Sequence, residues 1–198
     1  MLNILNVDII LQDERVLLRP LQLEDYQYFL PFVINEPELW KYSLVSPASK
    51  EKMKEYIETA LKNKAEEKDY PFIIFDKLTN EYAGCTRFYD IQPQWQTTQL
   101  GYTWYGKKFQ RTGLNRHCKW LLLQFAFEKW GMVRVEFRAD ADNAKSVSAM
   151  KAIGCIEEGI LRCHTPSDTG KRRNSIILSI LKEEWLSSVK ASLKSKTW

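Results

Sequence analysis

The chain has 198 residues, 44% of them hydrophobic, and a formal net charge of +4 from 29 basic and 25 acidic residues. This suits one medium domain with a substantial core, and the scattered basic residues do not form the concentrated basic face of a nucleic-acid binder. No apolar run approaches the ~20 residues of a membrane span, the N-terminus lacks an export signal, and Cys85, Cys118, Cys155 and Cys163 lack metal-ligand spacing, so a cytoplasmic protein with free thiols and no metal is expected.

Val16-Leu17-Leu18-Arg19-Pro20 reads as a strand stopped by proline. Glu24 and Asp25, followed by Tyr26, Tyr28, Phe29 and Phe32, predict a helix ending near Asn35. A short turn at Pro37-Glu38-Leu39-Trp40 leads to a loop over 43–48, and Ser49 then caps a helix with Met53, Tyr56, Ile57, Ala60 and Leu61 on one face. Residues 71–76 and 82–90 form a hairpin around Thr79-Asn80-Glu81, and 99–105 is the next strand. Strands that follow one another without helices predict an antiparallel half-sheet.

From Gln99 onward the order becomes strand, loop, helix, strand, helix, strand, which predicts crossover helices and a parallel pair. Val133, Val135, Phe137 and Ala139 alternate with Arg134, Glu136, Arg138 and Asp140 along one of these strands. Residues 158–164 and 175–181 form a closing hairpin across 166–173. The prediction is one α/β domain over 1–198, with a core of about 15–186, a short tail over 187–198, and a mixed sheet of about seven strands covered by helices on both sides.

The hexapeptide Gln110-Arg111-Thr112-Gly113-Leu114-Asn115 joins a strand to a helix carrying Leu114, Cys118, Leu121, Leu122, Phe125 and Ala126 on its apolar stripe. Such a turn aims unpaired N–H groups and the positive helix end into one space, which suits a phosphate. Gly113 permits close approach, and no acidic residue lies between Tyr105 and Lys119. An ordinary strand–helix connection accounts for the same six residues.

The hexapeptide resembles the Gln/Arg-x-x-Gly-x-Gly/Ala pyrophosphate loop of the GNAT acetyltransferases. Asn143-Ala144-Lys145-Ser146 with Ile153-Gly154 resembles their Asn-x-x-Ser…Leu-Gly segment. Glu158-Gly159-Ile160-Leu161-Arg162, Gly170-Lys171-Arg172, and Ser179-Ile180-Leu181 before Glu184-Trp185 extend the likeness to the RimJ/RimL branch. Asn115 and Asn174 depart from the usual Gly/Ala and Asp of that pattern.

The resemblance implies acetyl-CoA as co-substrate and transfer of its acetyl group to a primary amine, either a protein N-terminal α-amino group or a small molecule. It implies that strand 102–105 splays from strand 133–140, so that unpaired N–H groups near Trp104 and Tyr105 polarise the thioester carbonyl. Gln110, Arg111, Thr112, Gly113, Leu114 and Asn115 would hold the pyrophosphate, and Asn143 and Ser146 the pantetheine arm. Asn143 is equally a helix cap by its position. Ser146 would be the general acid for the departing thiolate, while Trp40 and Tyr42 would face the acceptor. A homodimer through the last strands is also implied.

The incoming ammonium must lose a proton. Candidate bases are Glu136, Asp140, His117 and His164, although Glu136 and Asp140 share their strand face with Arg134 and Arg138 and suit a row of ion pairs equally well. A non-catalytic module that holds a coenzyme A derivative on the same fold is the alternative reading.

Overall fold

Alternation sets the sheet. In the computed structural model, which describes residues 7–166, 170 and 172–198, eight strands run in the order β1-β2-β3-β4-β5-β6-β8-β7. They are β1 (Leu11–Gln12), β2 (Val16–Pro20), β3 (Tyr70–Asp76), β4 (Glu81–Gln92), β5 (Thr97–Tyr105), β6 (Arg134–Asp140), β7 (Ile156–Pro166) and β8 (Arg172–Leu181). The predicted sheet of about seven strands lacks β1, which is two residues long and carries no periodic signal. Lys171 of the predicted Gly170-Lys171-Arg172 hairpin lies outside the described residues.

The helices are α1 (Tyr26–Asn35), α2 (Lys50–Ala65), α3 (Leu114–Gln124), α4 (Ala144–Ala152), α5 (Lys182–Glu184) and α6 (Lys190–Ser195). Ser49 Oγ accepts a hydrogen bond from Lys52 N at 3.2 Å and so caps α2. Wider turns at Phe125–Trp130 prolong α3, and similar turns at Trp185–Val189 link α5 to α6. The C-terminal residues do more than trail from the core, because Val189 and Leu193 are buried and Trp198 packs on His117 and Trp120 with ring centroids 5.0 Å away.

Odd and even positions of β4 serve opposite layers. Cys85 and Arg87 face α2, where Tyr56 lies 3.4 Å from Cys85 Sγ and 4.8 Å beneath the Arg87 guanidinium. Thr86 and Phe88 face the other layer, where Phe88 packs on Phe125 and Trp130. Arg87 is almost wholly buried, and its ion pair with Asp69 at 3.1 Å keeps that charge from being isolated.

One pairing is parallel, and it is short. Thr97, Thr98 and Gln99 pair with Arg134, Val135 and Glu136. Beyond Gln99, among the described residues, β5 remains joined only to β4 and β6 only to β8, so the two strands separate. On its β4 side, β5 carries a bulge: Tyr102 and Thr103 oppose the single residue Thr86, and Tyr102 takes φ +51°. Gly84 makes this close pairing possible, since a Cβ there would lie 2.0 Å from the Trp104 carbonyl oxygen.

Candidate active site

The gap between β5 and β6 opens into a cavity of about 970 Å³ that reaches both faces of the sheet. On one face its wall contains Asn115 and Lys119 of α3 together with Ser146, Met150 and Ile153 around α4. The other holds Trp40, Tyr42, Tyr56, Tyr89, Tyr102 and Trp104. Asp140, His164 and Arg173 stand on the β6–β8 side.

At the mouth of the gap the predicted loop takes an alternating backbone. Arg111 has φ +62° and Gly113, the residue capping α3, has φ +91°. Among the described residues, the backbone N–H groups of Arg111, Thr112, Gly113 and Asn115 donate no hydrogen bond. Consecutive free N–H groups in such a turn make a concave anion site. Gln110, Arg111 and Asn115 reach the cavity, whereas the Thr112, Gly113 and Leu114 side positions do not. Thr112 instead donates to Phe109 O at 2.8 Å, and Leu114 is fully buried in the core. Asn115 does not block the loop, because its Oδ1 accepts from Tyr105 Oη at 3.2 Å and is drawn aside.

Trp104 and Tyr105 lie on the stretch of β5 whose β6-facing main chain has no strand partner. Trp104 packs edge-on against Phe29 and Trp40 at 4.9 and 5.3 Å, and the buried indole N–H of Trp40 has no acceptor among the described residues. Tyr42 is exposed, with its carbonyl accepting from Arg173 Nη1 at 3.0 Å. Burial raises the phenols of Tyr56, Tyr89 and Tyr105 above their ordinary pKa, so these rings stay protonated.

Both readings of the α4 start fit one geometry. Asn143 Oδ1 accepts from Ser146 N at 3.1 Å, which caps the helix, and Asn143 also lines the cavity. Ser146 lines it too, half-buried, with an Oγ that has no hydrogen-bond partner among the described residues. Its hydroxyl is therefore free to meet a ligand.

The four base candidates separate by position. Asp140 and His164 line the cavity. Asp140 Oδ1 accepts from Asp142 N at 3.0 Å, and His164 Nδ1 lies 3.0 Å from Ser175 Oγ, with its other ring nitrogen unengaged among the described residues. Glu136 sits outside the cavity lining, held between Arg134 at 3.0 Å and Arg138 at 2.6 Å as a structural row of ions. His117 is also outside the lining, on the back of α3, with Nδ1 2.8 Å from Asp13 Oδ2. Both side chains are thus engaged by partners outside the cavity lining, Glu136 by two arginines and His117 by Asp13.

The sequence pattern missed Lys119. This residue is 5% exposed, lines the cavity, and donates from Nζ to Thr103 Oγ1 at 3.0 Å. Burial lowers its pKa to about 8. The signal available was a charge on a helix that is apolar nearly all round, Cys118 through Leu123, where a surface helix would show a polar face. Burial also pushes the thiols of Cys85 up to about 11 and of Cys118 and Cys155 up to about 12, which leaves them unreactive.

A sheet forced open between two parallel strands, with a glycine turn and helix N-terminus at the mouth of the opening, defines an acyltransferase-type α/β domain. Residues 15–156 match the family model of the acetyltransferase (GNAT) domain, so the chain belongs to that family of acyltransferases. It is 24% identical over 176 residues to the uncharacterized N-acetyltransferase p20 of Bacillus licheniformis, covering 88% of this chain and 97% of that protein. A structure from T. thermophilus with a provisional acetyltransferase assignment is 30% identical, with a TM-score of 0.86 over 96% of this chain and 97% of its own. Mycobacterium smegmatis RimJ in complex with CoA-disulfide shares the fold at 17% identity, with a TM-score of 0.79 over 96% of this chain and 93% of its own. No helix among the described residues is long and apolar enough to cross a membrane.

Proposed function

We propose that this chain is an acetyl-CoA-dependent N-acetyltransferase whose acceptor is a primary amine, on a protein N-terminus or a small molecule. The observation that carries this reading is the coincidence, in one cavity, of a row of free loop N–H groups and an unpartnered strand edge. The first suits a pyrophosphate and the second the amide-bearing arm attached to it. An acidic side chain in the 110–115 loop would count against it, and there is none.

Residue roles follow from position. The main chain of β5 inward of Tyr105, from Trp104 to the bulge, donates to the thioester oxygen as the amine adds to the carbonyl carbon and charge gathers on that oxygen. Ser146 gives its proton to the sulfur as the C–S bond breaks and regains one from solvent, to which the base in turn releases the proton taken from the amine. His164 or Asp140, both on the acceptor side of the gap, takes the proton from the attacking amine. Asn143 steadies the arm through its amide nitrogen while its oxygen caps α4. The aromatic wall of Trp40 and Tyr42 receives the acceptor, where a cationic amine gains from the ring faces before deprotonation.

The four free cysteines fit a reducing cytoplasm. A homodimer through the sheet's outer strand β7 belongs to the same reading, since Ile156, Ile160 and Leu161 are exposed there. Calorimetric titration with acetyl-CoA and with desulfo-CoA tests the whole. Binding of both followed by thiol release with an amine acceptor supports transfer; binding without release across an amine panel moves the chain to a coenzyme-holding module. Failure of both to bind overturns the proposal.

A further inference from the structure

The buried amine of Lys119 has no role in the chemistry above. Its side chain enters the gap between β5 and β6 from α3, and its one hydrogen-bond acceptor among the described residues is the Thr103 hydroxyl at 3.0 Å. Thr103 is itself 2.7 Å from the Thr86 hydroxyl, so the acceptor is shared within a small polar knot at the β5 bulge. A lysine ammonium carries three N–H donors, which leaves two without an acceptor among the described residues on a side chain that lines the cavity. Its other neighbours offer little: the Phe137 ring lies 5.8 Å away, and Cys118, Cys155 and Tyr105 are held neutral by burial. A buried cation without a carboxylate is costly unless something completes its hydrogen bonding.

Its level along the gap indicates what that partner is. The stretch of β5 unpartnered on its β6 side runs from Leu100, just past the vertex at Gln99, to Tyr105, and the loop proposed for the phosphates follows at 110–115. At ~3.3 Å per residue, Thr103 stands about 7 Å in from the mouth and about 13 Å short of the vertex. An arm anchored at the loop and laid along β5 brings its sulfur-bearing end to this level, and the amide next to the sulfur, one step nearer the mouth, comes within reach of the long Lys119 side chain. That amide presents a carbonyl oxygen to the gap.

We propose that Lys119 is a ligand-contacting residue, donating hydrogen bonds from inside the splay to the amide carbonyl oxygens of the coenzyme's arm. This rests on the coenzyme reading of the cavity and adds a recognition element on the α3 side, opposite the main chain of β5. It makes arm recognition depend on a side chain as well as on backbone.

Titration of wild type and Lys119→Met with coenzyme A, and with phosphoadenosine diphosphate, its nucleotide half without the arm, tests this. The variant should bind coenzyme A about tenfold or more weakly, the usual cost of losing a hydrogen bond from a charged donor, and bind the nucleotide half as wild type does. Wild type alone provides a second reading: its affinity for coenzyme A should fall as pH rises through and beyond about 8, while affinity for the nucleotide half does not follow that curve. Unchanged coenzyme affinity in the variant, or equal losses for both ligands, overturns the proposal. If wild type binds the nucleotide half and gains nothing from the arm, this inference fails alone. If it binds neither, the coenzyme reading fails first and carries this one with it.

Discussion

Replacing Lys119 by Met should make the protein more stable near neutral pH, although the change removes a hydrogen bond. Burial moves the amine from its ordinary 10.5 to about 8. At ~1.4 kcal/mol per tenfold change in proton affinity, keeping it charged in the folded state costs about 3 kcal/mol. The lost bond to Thr103 returns about 1 kcal/mol of that, so Lys119→Met should gain about 2 kcal/mol. With a urea dependence of ~2 kcal/mol per molar, the midpoint moves up by about 1 M. The direction with pH follows from proton counts: between about 8 and 10.5 the unfolded chain binds the proton and the folded chain does not. Wild-type stability gains from this group as pH rises across that window, and the penalty is complete below it. Buried Cys85, Cys118 and Cys155 act oppositely, since their thiols ionise more easily when unfolded. The difference between wild type and variant cancels them. Urea melts of both proteins below and above this window should show the variant's advantage shrinking as pH rises. A variant that is less stable at neutral pH, or whose advantage ignores pH, would refute the reasoning.

Gly84→Ala should cost roughly 3 kcal/mol or more, because its Cβ would meet the Trp104 carbonyl at 2.0 Å and φ is +155°; a thermal midpoint within a degree or two of wild type would contradict the close pairing. Asp69→Ala should cost about 3–5 kcal/mol by leaving the Arg87 guanidinium buried without its partner, measured by denaturant melts in which Asp69→Asn loses less. Ser146→Ala should lower turnover while leaving acetyl-CoA affinity near wild type, as expected of a group that acts on the leaving thiolate; parallel losses in both would make Ser146 a binding residue. A charged residue in place of Ile160 should reduce the solution mass by light scattering from two chains to one, and a wild-type mass of one chain would remove the β7 dimer.

Elements whose own residues carry the signal were legible. The helix from Tyr26 to Asn35 and the strand from Val16 to Pro20 appear where their patterns place them. The antiparallel half and the later parallel pair follow from the order of strands and helices. The hexapeptide could be located by its glycine and by the apolar stripe after it, since both are local features. Partners distant in sequence were not legible. His117 and Asp13 are 104 residues apart, and nothing near either announces that α3 packs over the start of the sheet. Glu136 shares a strand face with Asp140, so only its level along β6, paired with Gln99 where the strands are still joined, and its two arginine partners distinguish an ion partner from a base. Lys119 was hidden for a related reason: its burial comes from β5 and β6 closing over α3, which helix periodicity alone does not report.

The Arg87 pair has a mechanical consequence. Asn63, near the end of α2, donates to Asp69 at 3.0 Å; Asp69 holds Arg87, and the Arg87 guanidinium lies 4.0 Å from the ring centre of Tyr102 at the β5 bulge. A helix on one wall of the acceptor side and the strand edge assigned to the thioester are thereby braced by one strut. Retooling this scaffold for a new amine by exchanging α2 would shift the strand that activates the donor as well, so acceptor preference and donor alignment have to be redesigned together.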